Sequence, residues 1–141
     1  MDASEIEPRS DLGQVSSQIS REIVQLHARL YGRGPTRAKT YLTGDYALSI
    51  LEEIFTPAER TLIAAGKGEL VQASRTAFQD AVRDEFVTIV EETTGRPVRA
   101  LISQVHLETG SAIELFLFDA SAVVPSSGAN NSGRGDGDGN G

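Results

Sequence analysis

Hydrophobic positions along this chain follow two periods, and the switches between them mark the expected elements. Leu12, Val15, Ile19, Ile23, Leu26 and Leu30 recur at steps of three and four, which places them on one stripe of a helix ended by Gly32. The stripe is narrow and close to a heptad seam. That geometry suits packing on another helix or on a second copy, so a homodimer through this first helix is expected.

Past Gly34-Pro35 the period falls to two. Arg37 to Thr43 alternates, and Tyr46, Leu48 and Ile50 share one phase of a second strand, with Gly44-Asp45 read as a hairpin turn in which glycine takes a positive φ. Thr56-Pro57-Ala58-Glu59 then announces a helix. Thr56 can cap, Pro57 loses no needed N–H at the first helical position, and Glu59 can close a capping box. Gly66-Lys67-Gly68 breaks that helix near Ala65. A longer helix is expected from about Glu69 to Thr93, burying Val71, Phe78, Val82, Phe86 and Ile89 or Val90, with Gly95 ending it. Pro97 to Leu107 and Ala112 to Asp119 form a second hairpin around Glu108-Thr109-Gly110-Ser111. Leu101, Val105 and Leu107 share one phase while Val98, Ala100 and Ile102 share the other, which predicts a bulge or burial on both faces.

The order α-ββ-α-α-ββ predicts an α+β fold, a two-layer sandwich whose four-stranded antiparallel sheet is covered by helices. Residues 12–119 form this domain. Residues 1–11, acidic and poor in large aliphatics, read as a flexible leader, and 120–141, rich in Gly, Ser and Asp, as a disordered tail.

Composition narrows the function classes. A chain of 141 residues suits one domain, and 20 acids against 13 bases give a formal charge of -7, which argues against nucleic acid or an anionic membrane surface as a partner. Zero cysteines exclude disulfides, thiol catalysis and thiolate metal sites. No apolar run approaches the roughly 20 residues that cross a bilayer, and Met1-Asp2-Ala3-Ser4-Glu5 lacks the features of a signal peptide. A cytoplasmic protein without membrane insertion is expected.

Reacting groups are sparse. His27 and His106 have no neighbouring ligands in a metal-binding spacing and read as surface or boundary residues. Glu52-Glu53 and Glu91-Glu92 are adjacent and so point apart. The ending Asp136-Gly137-Asp138-Gly139-Asn140-Gly141 copies the start of an EF-hand loop without its twelfth ligand, and Arg134-Gly135-Asp136 is read as a chance tripeptide. No catalytic residue, metal site or cofactor is therefore expected. One stretch is positive: Arg29, Arg33, Arg37 and Lys39 fall between Ile23 and Gly44, where there is no acid. It supports two readings. Arg33, Gly34, Arg37 and Lys39, with Tyr41 or Tyr46 as a stacking surface, form a site for an anion, a nucleotide, an acidic partner or, more weakly, RNA. Alternatively the stretch is a solvated face balanced by Glu52 and Glu53.

Gly32-Arg33-Gly34-Pro35, Gly44-Asp45, Leu51-Glu52, Thr56-Pro57-Ala58-Glu59-Arg60 with Leu62, Gly68-Glu69-Leu70-Val71, Arg75 and Thr109-Gly110 occur in an order that resembles the MpsC family. The likeness covers roughly Val15 to Asp119. It implies a small soluble domain whose namesake belongs to a cation-translocating system that generates membrane potential, alongside integral-membrane subunits. Some relatives carry tandem copies, for which a homodimer of this single-copy chain would substitute. No catalytic residue set comes with the resemblance. The leading expectation is a non-enzymatic accessory or regulatory module acting through protein contacts, with membrane transport subunits as partners. The alternative is an anion- or nucleotide-binding sensor built on Arg33, Arg37 and Lys39.

Overall fold

Eight elements follow one another in the computed structural model, which describes residues 3–119; the leader's first two residues and the tail with its Asp-Gly repeat and Arg-Gly-Asp tripeptide lie outside the described residues. They are α1 (Ala3–Tyr31), β1 (Arg37–Leu42), β2 (Tyr46–Glu52), α2 (Pro57–Ala64), α3 (Gly68–Ala81), α4 (Arg83–Thr94), β3 (Val98–His106) and β4 (Ser111–Phe118). The four strands form one antiparallel sheet in the order β1-β2-β4-β3. The fold is the α+β arrangement that the two-period pattern implied.

Local chemistry accounts for most of the boundaries. α1 stops where Gly32 adopts φ +84°, and the Gly32 N–H closes on the Ala28 carbonyl at 2.9 Å. The chain then turns back so tightly that a Cβ on Gly34 would sit 2.9 Å from the Val24 carbonyl oxygen. Thr56 caps α2 through its hydroxyl, which accepts from the Glu59 N–H at 3.1 Å, while the Glu59 carboxylate accepts from the Thr56 N–H at 2.9 Å. This is the expected capping box.

Three expectations need correction. The Gly44-Asp45 turn does not use a positive φ at glycine. Its geometry is held instead by the Thr43 hydroxyl, which accepts from the Asp45 and Tyr46 N–H groups at 3.0 and 3.1 Å. The long helix after Gly68 is two helices, kinked at Val82 (φ -112°, ψ 18°). The Val82 N–H still reaches the Phe78 carbonyl, and its own carbonyl accepts from Glu85 and Phe86, so the kink strands no polar group there. It lets α3 lie against α2 and β3 while α4 packs on α1. Third, Phe78, expected in the core, is 41% exposed and stands T-shaped to the Tyr31 ring, at 5.1 Å between centroids.

The core sits between the helices and one face of the sheet. Ile19, Ile23 and Leu26 of α1 and Phe86 and Val90 of α4 pack there with Ala47, Leu51, Leu101, Val105, Ala112, Phe116 and Phe118. The centre of the α1 stripe, on which the homodimer expectation rested, is thus occupied inside the chain, and Leu12 at its start is 53% exposed. β3 carries the expected irregularity as a bulge between Val98 and Ala100. Downstream of it Leu101 and Val105 face the core, while Ile102 and Gln104 face away.

Candidate functional site

Among the described residues, no element covers the second face of the sheet. Strand alternation sends three registered rows there: Tyr41, Leu48, Leu115 and Ile102; Lys39, Ile50, Ile113 and Gln104; and Tyr46, Leu117 and Ala100. From strand spacing and rise, the apolar part of these rows is on the order of 300–400 Å², a size at which the largest patch of a monomer is often functional. Ile102 is 49% exposed and Ile113 37%. Charges border the patch along β1, where Arg37 stands opposite Glu52 and the Lys39 ammonium lies 5.5 Å from the Tyr41 ring centroid.

One residue along each strand, the row against the helices is polar: Thr40, Ser49, Glu114 and Ser103 stand side by side across all four strands. Burial without partners would be costly, and the row is hydrogen-bonded almost throughout. Ser20 of α1 meets the Thr40 hydroxyl at 2.8 Å, and Thr40 meets Ser49 at 2.7 Å. Glu114 accepts from the Ser103 hydroxyl and, at 3.0 Å, from the Gln79 amide. Burial pushes its carboxyl up to about 7, against the opposing pull of the Ser103 hydrogen bond and the Arg75 charge.

Arg75 is the largest fully buried side chain among the described residues. Its Nε and Nη2 donate to the two Glu59 carboxylate oxygens at 2.8 and 2.6 Å, and Nη2 also donates to the Ile54 carbonyl at 2.8 Å. The guanidinium lies 3.7 Å from the Tyr31 ring centroid. Glu59 therefore caps α2 and holds the buried cation at once. Burial alone would push its carboxyl up, but the hydrogen bonds from Arg75 and Thr56 and the Arg75 charge leave it below the ordinary range. Burial, together with the Arg75 charge, lowers His27 to about 4, so its ring is neutral at pH 7. Burial raises the Tyr31 phenol despite the nearby Arg75 charge.

His27 is thus a core residue, 1% exposed, which corrects its reading as a surface or boundary histidine. Its ring packs on Tyr31 and edge-on to Phe86, both at 5.6 Å between centroids. His106 is exposed and pairs with the Thr109 hydroxyl through Nδ1 at 2.9 Å.

The five residues expected to form one site fall into two places. Arg37, Lys39 and Tyr41 stand at the edge of the uncovered sheet face. Arg33 instead donates from Nη1 to the Phe55 carbonyl at 2.5 Å, next to Arg60, and Gly34 lies against Val24 of α1. Arg75 and Glu114 were missed as interior groups although a signal existed. Arg75 follows Val71 by one helical turn, and Glu114 occupies the same strand phase as Ala112, Phe116 and Phe118.

A family model described as "Na+-translocating membrane potential-generating system (MpsC)" matches residues 11–120. The chain belongs to the MpsC family. Two Bacillus subtilis (strain 168) proteins are similar to this chain. Uncharacterized protein YbcI is 27% identical over 105 residues, which is 74% of this chain and 85% of that protein. Uncharacterized protein YrhF is 30% identical over 99 residues, 69% of this chain and 81% of that protein. Neither name nor the family description specifies an enzymatic reaction. No solved structure matches the MpsC chain. Among its described residues no helix is long and apolar enough to cross a membrane.

Proposed function

We propose that this MpsC chain is a non-enzymatic accessory module of a membrane cation-translocating system, working on the cytoplasmic side through protein contacts. The observation that carries the reading is the uncovered apolar sheet face centred on Leu48, Leu115 and Ile102. The family description supplies the kind of assembly. The interior argues in the same direction: His27 and Glu114, the two groups whose titration is most altered by their surroundings, are each no more than 1% exposed and sealed from a substrate.

The occupant that best fits the face is an amphipathic segment of a membrane subunit, apolar at its centre and acidic along one side. Its acids meet Arg37 and Lys39, while its apolar side covers Ile50, Leu48, Leu115 and Ile102. The test is recovery of the tagged full chain from its host's membranes under mild detergent, with the co-purifying subunits identified by mass spectrometry. A cation-transport subunit is expected with the native chain, lost with Ile102→Asp combined with Ile113→Asp and retained with Thr88→Asp at an exposed position of α4. The reading fails if no such subunit is recovered, or if the face variant recovers it undiminished. A homodimer is the competing occupant; light scattering that shows a dimer dissolved by the same face substitutions, with no transport subunit bound, replaces the proposal.

A further inference from the structure

Two guanidiniums converge on one carbonyl oxygen beside an apolar pocket. Nη1 of Arg33, from the α1–β1 link, and Nη1 of Arg60, from α2, both donate to the Phe55 carbonyl, at 2.5 and 2.8 Å. Two cations sharing one neutral acceptor repel each other, and no carboxylate lies within ion-pair distance of either among the described residues. Each has further N–H donors in a fixed fork. The cavity they border has a volume of about 800 Å³, with Phe55, Ile63 and Leu107 among its apolar walls and Gly110 at its edge.

The backbone that presents the Phe55 carbonyl is firmly held. Ile54 donates its N–H to the Gly110 carbonyl at 3.0 Å and receives Arg75 Nη2 on its own carbonyl. Glu53, just before it, lines the pocket and adopts φ 54°, the left-handed region, unusual for a residue with a Cβ. Such strain persists only where surrounding contacts impose it, and it concentrates at binding sites. Glu53 and Glu108 on the rim are exposed and balance the two arginines in formal charge. A polyanion such as a nucleoside triphosphate would bring more negative charge against those acids than a ligand with one compact negative group.

We infer that this pocket binds a small carboxylate with an aromatic or aliphatic body, its carboxylate bridging Arg33 and Arg60 and its body against Phe55, Ile63 and Leu107. The site shares no residue with the uncovered sheet face, so it stands or falls separately from the docking proposal. It also re-centres the anion-binding alternative on Arg33 and Arg60, since Arg37 and Lys39 lie elsewhere. The carboxylate offsets the repulsion between the two guanidiniums through charge-assisted hydrogen bonds.

Calorimetric titration of the full chain with 2-naphthoate tests the assignment, with 2-naphthamide as the uncharged counterpart and inorganic phosphate as the anion without a body. Expected are saturable binding of 2-naphthoate, at least about tenfold weaker binding of both comparison compounds, and a loss of about tenfold or more in Arg60→Gln, from the removed charged hydrogen bond. Circular dichroism confirms that the variant folds. Arg60→Lys, which keeps the charge and loses the fork, falls between the two. The inference is overturned if 2-naphthoate does not bind, if 2-naphthamide binds as well, or if Arg60→Gln leaves affinity unchanged. It is also overturned if Ile102→Asp lowers affinity as much as Arg60→Gln, which would place the probe on the sheet face.

Discussion

One row on each face of the sheet departs from the usual assignment of polar and apolar sides. Under the helices runs Thr40, Ser49, Glu114 and Ser103, a polar row whose members find one another or a side chain of α1 or α3. Toward solvent, one residue along, runs Tyr41, Leu48, Leu115 and Ile102. In an antiparallel sheet covered on one side, the uncovered side is ordinarily the polar one. The difference teaches that the two faces answer to separate constraints. The covered face gains its apolar burial from the residues flanking the polar row, whereas the open face keeps apolar groups that the isolated chain does not need for its own core.

The largest effects belong to the covered side. Phe116→Ala is expected to cost about 3–5 kcal/mol in chemical denaturation, the range for emptying a buried phenylalanine site. Its neighbour Leu117→Ala, on the open face, should cost about 1 kcal/mol or less. Equal costs would break the comparison. Arg75→Ala should also cost about 3–5 kcal/mol, since it leaves the Glu59 carboxylate and the Ile54 carbonyl without their buried partner.

The buried acid and base give a pH signature that sharpens the same contrast. Glu114 titrates at about 7 in the folded chain against 4.5 ordinarily, so its stabilisation is full below pH 4.5 and lost as pH rises through 7. His27 titrates at about 4 against 6.5, so its contribution is full above pH 6.5 and lost as pH falls through 4. Each shift corresponds to roughly 3–4 kcal/mol, and the two slopes oppose each other between pH 4.5 and 6.5. Denaturation across that window should therefore show little net slope from this pair. Glu114→Gln should make stability rise with pH, and His27→Leu should make it fall. Unchanged slopes in both variants would contradict the arrangement of the interior.

The smallest expected effect is on the open side. Ile102→Asp should alter the stability of the isolated chain by no more than about 0.5 kcal/mol, measured by denaturation, because the side chain is half exposed already.

Where sequence and structure agree, the controlling chemistry is local. The Thr56-Pro57-Glu59 capping box, the Gly32 and Gly95 helix ends and the two hairpins each depend on residues within a few positions of one another. The kink at Val82 has neither glycine nor proline to announce it and follows from how α3 and α4 must reach different neighbours. Which strand phase is covered was equally hidden. Tyr46, Leu48 and Ile50 mark β2 as a strand by their period, yet its covered face is Ala47, Ser49 and Leu51. Alternation fixes that a strand has two faces, and only packing decides which one the helices take. The expected site divided for the same reason: residues 33 and 34 belong to a turn bound to Phe55 and α1, while residues 37, 39 and 41 belong to one face of β1.

Site-specific photocrosslinking in the host's membranes tests the central claim most directly, with p-benzoylphenylalanine placed at position 102 on the open face or at position 88, an exposed position of α4. The account predicts a crosslink from position 102 to a subunit of a cation-translocating complex and none from position 88. Crosslinks of equal yield from both positions, a product containing only two copies of this chain, or no crosslink from position 102 would contradict it.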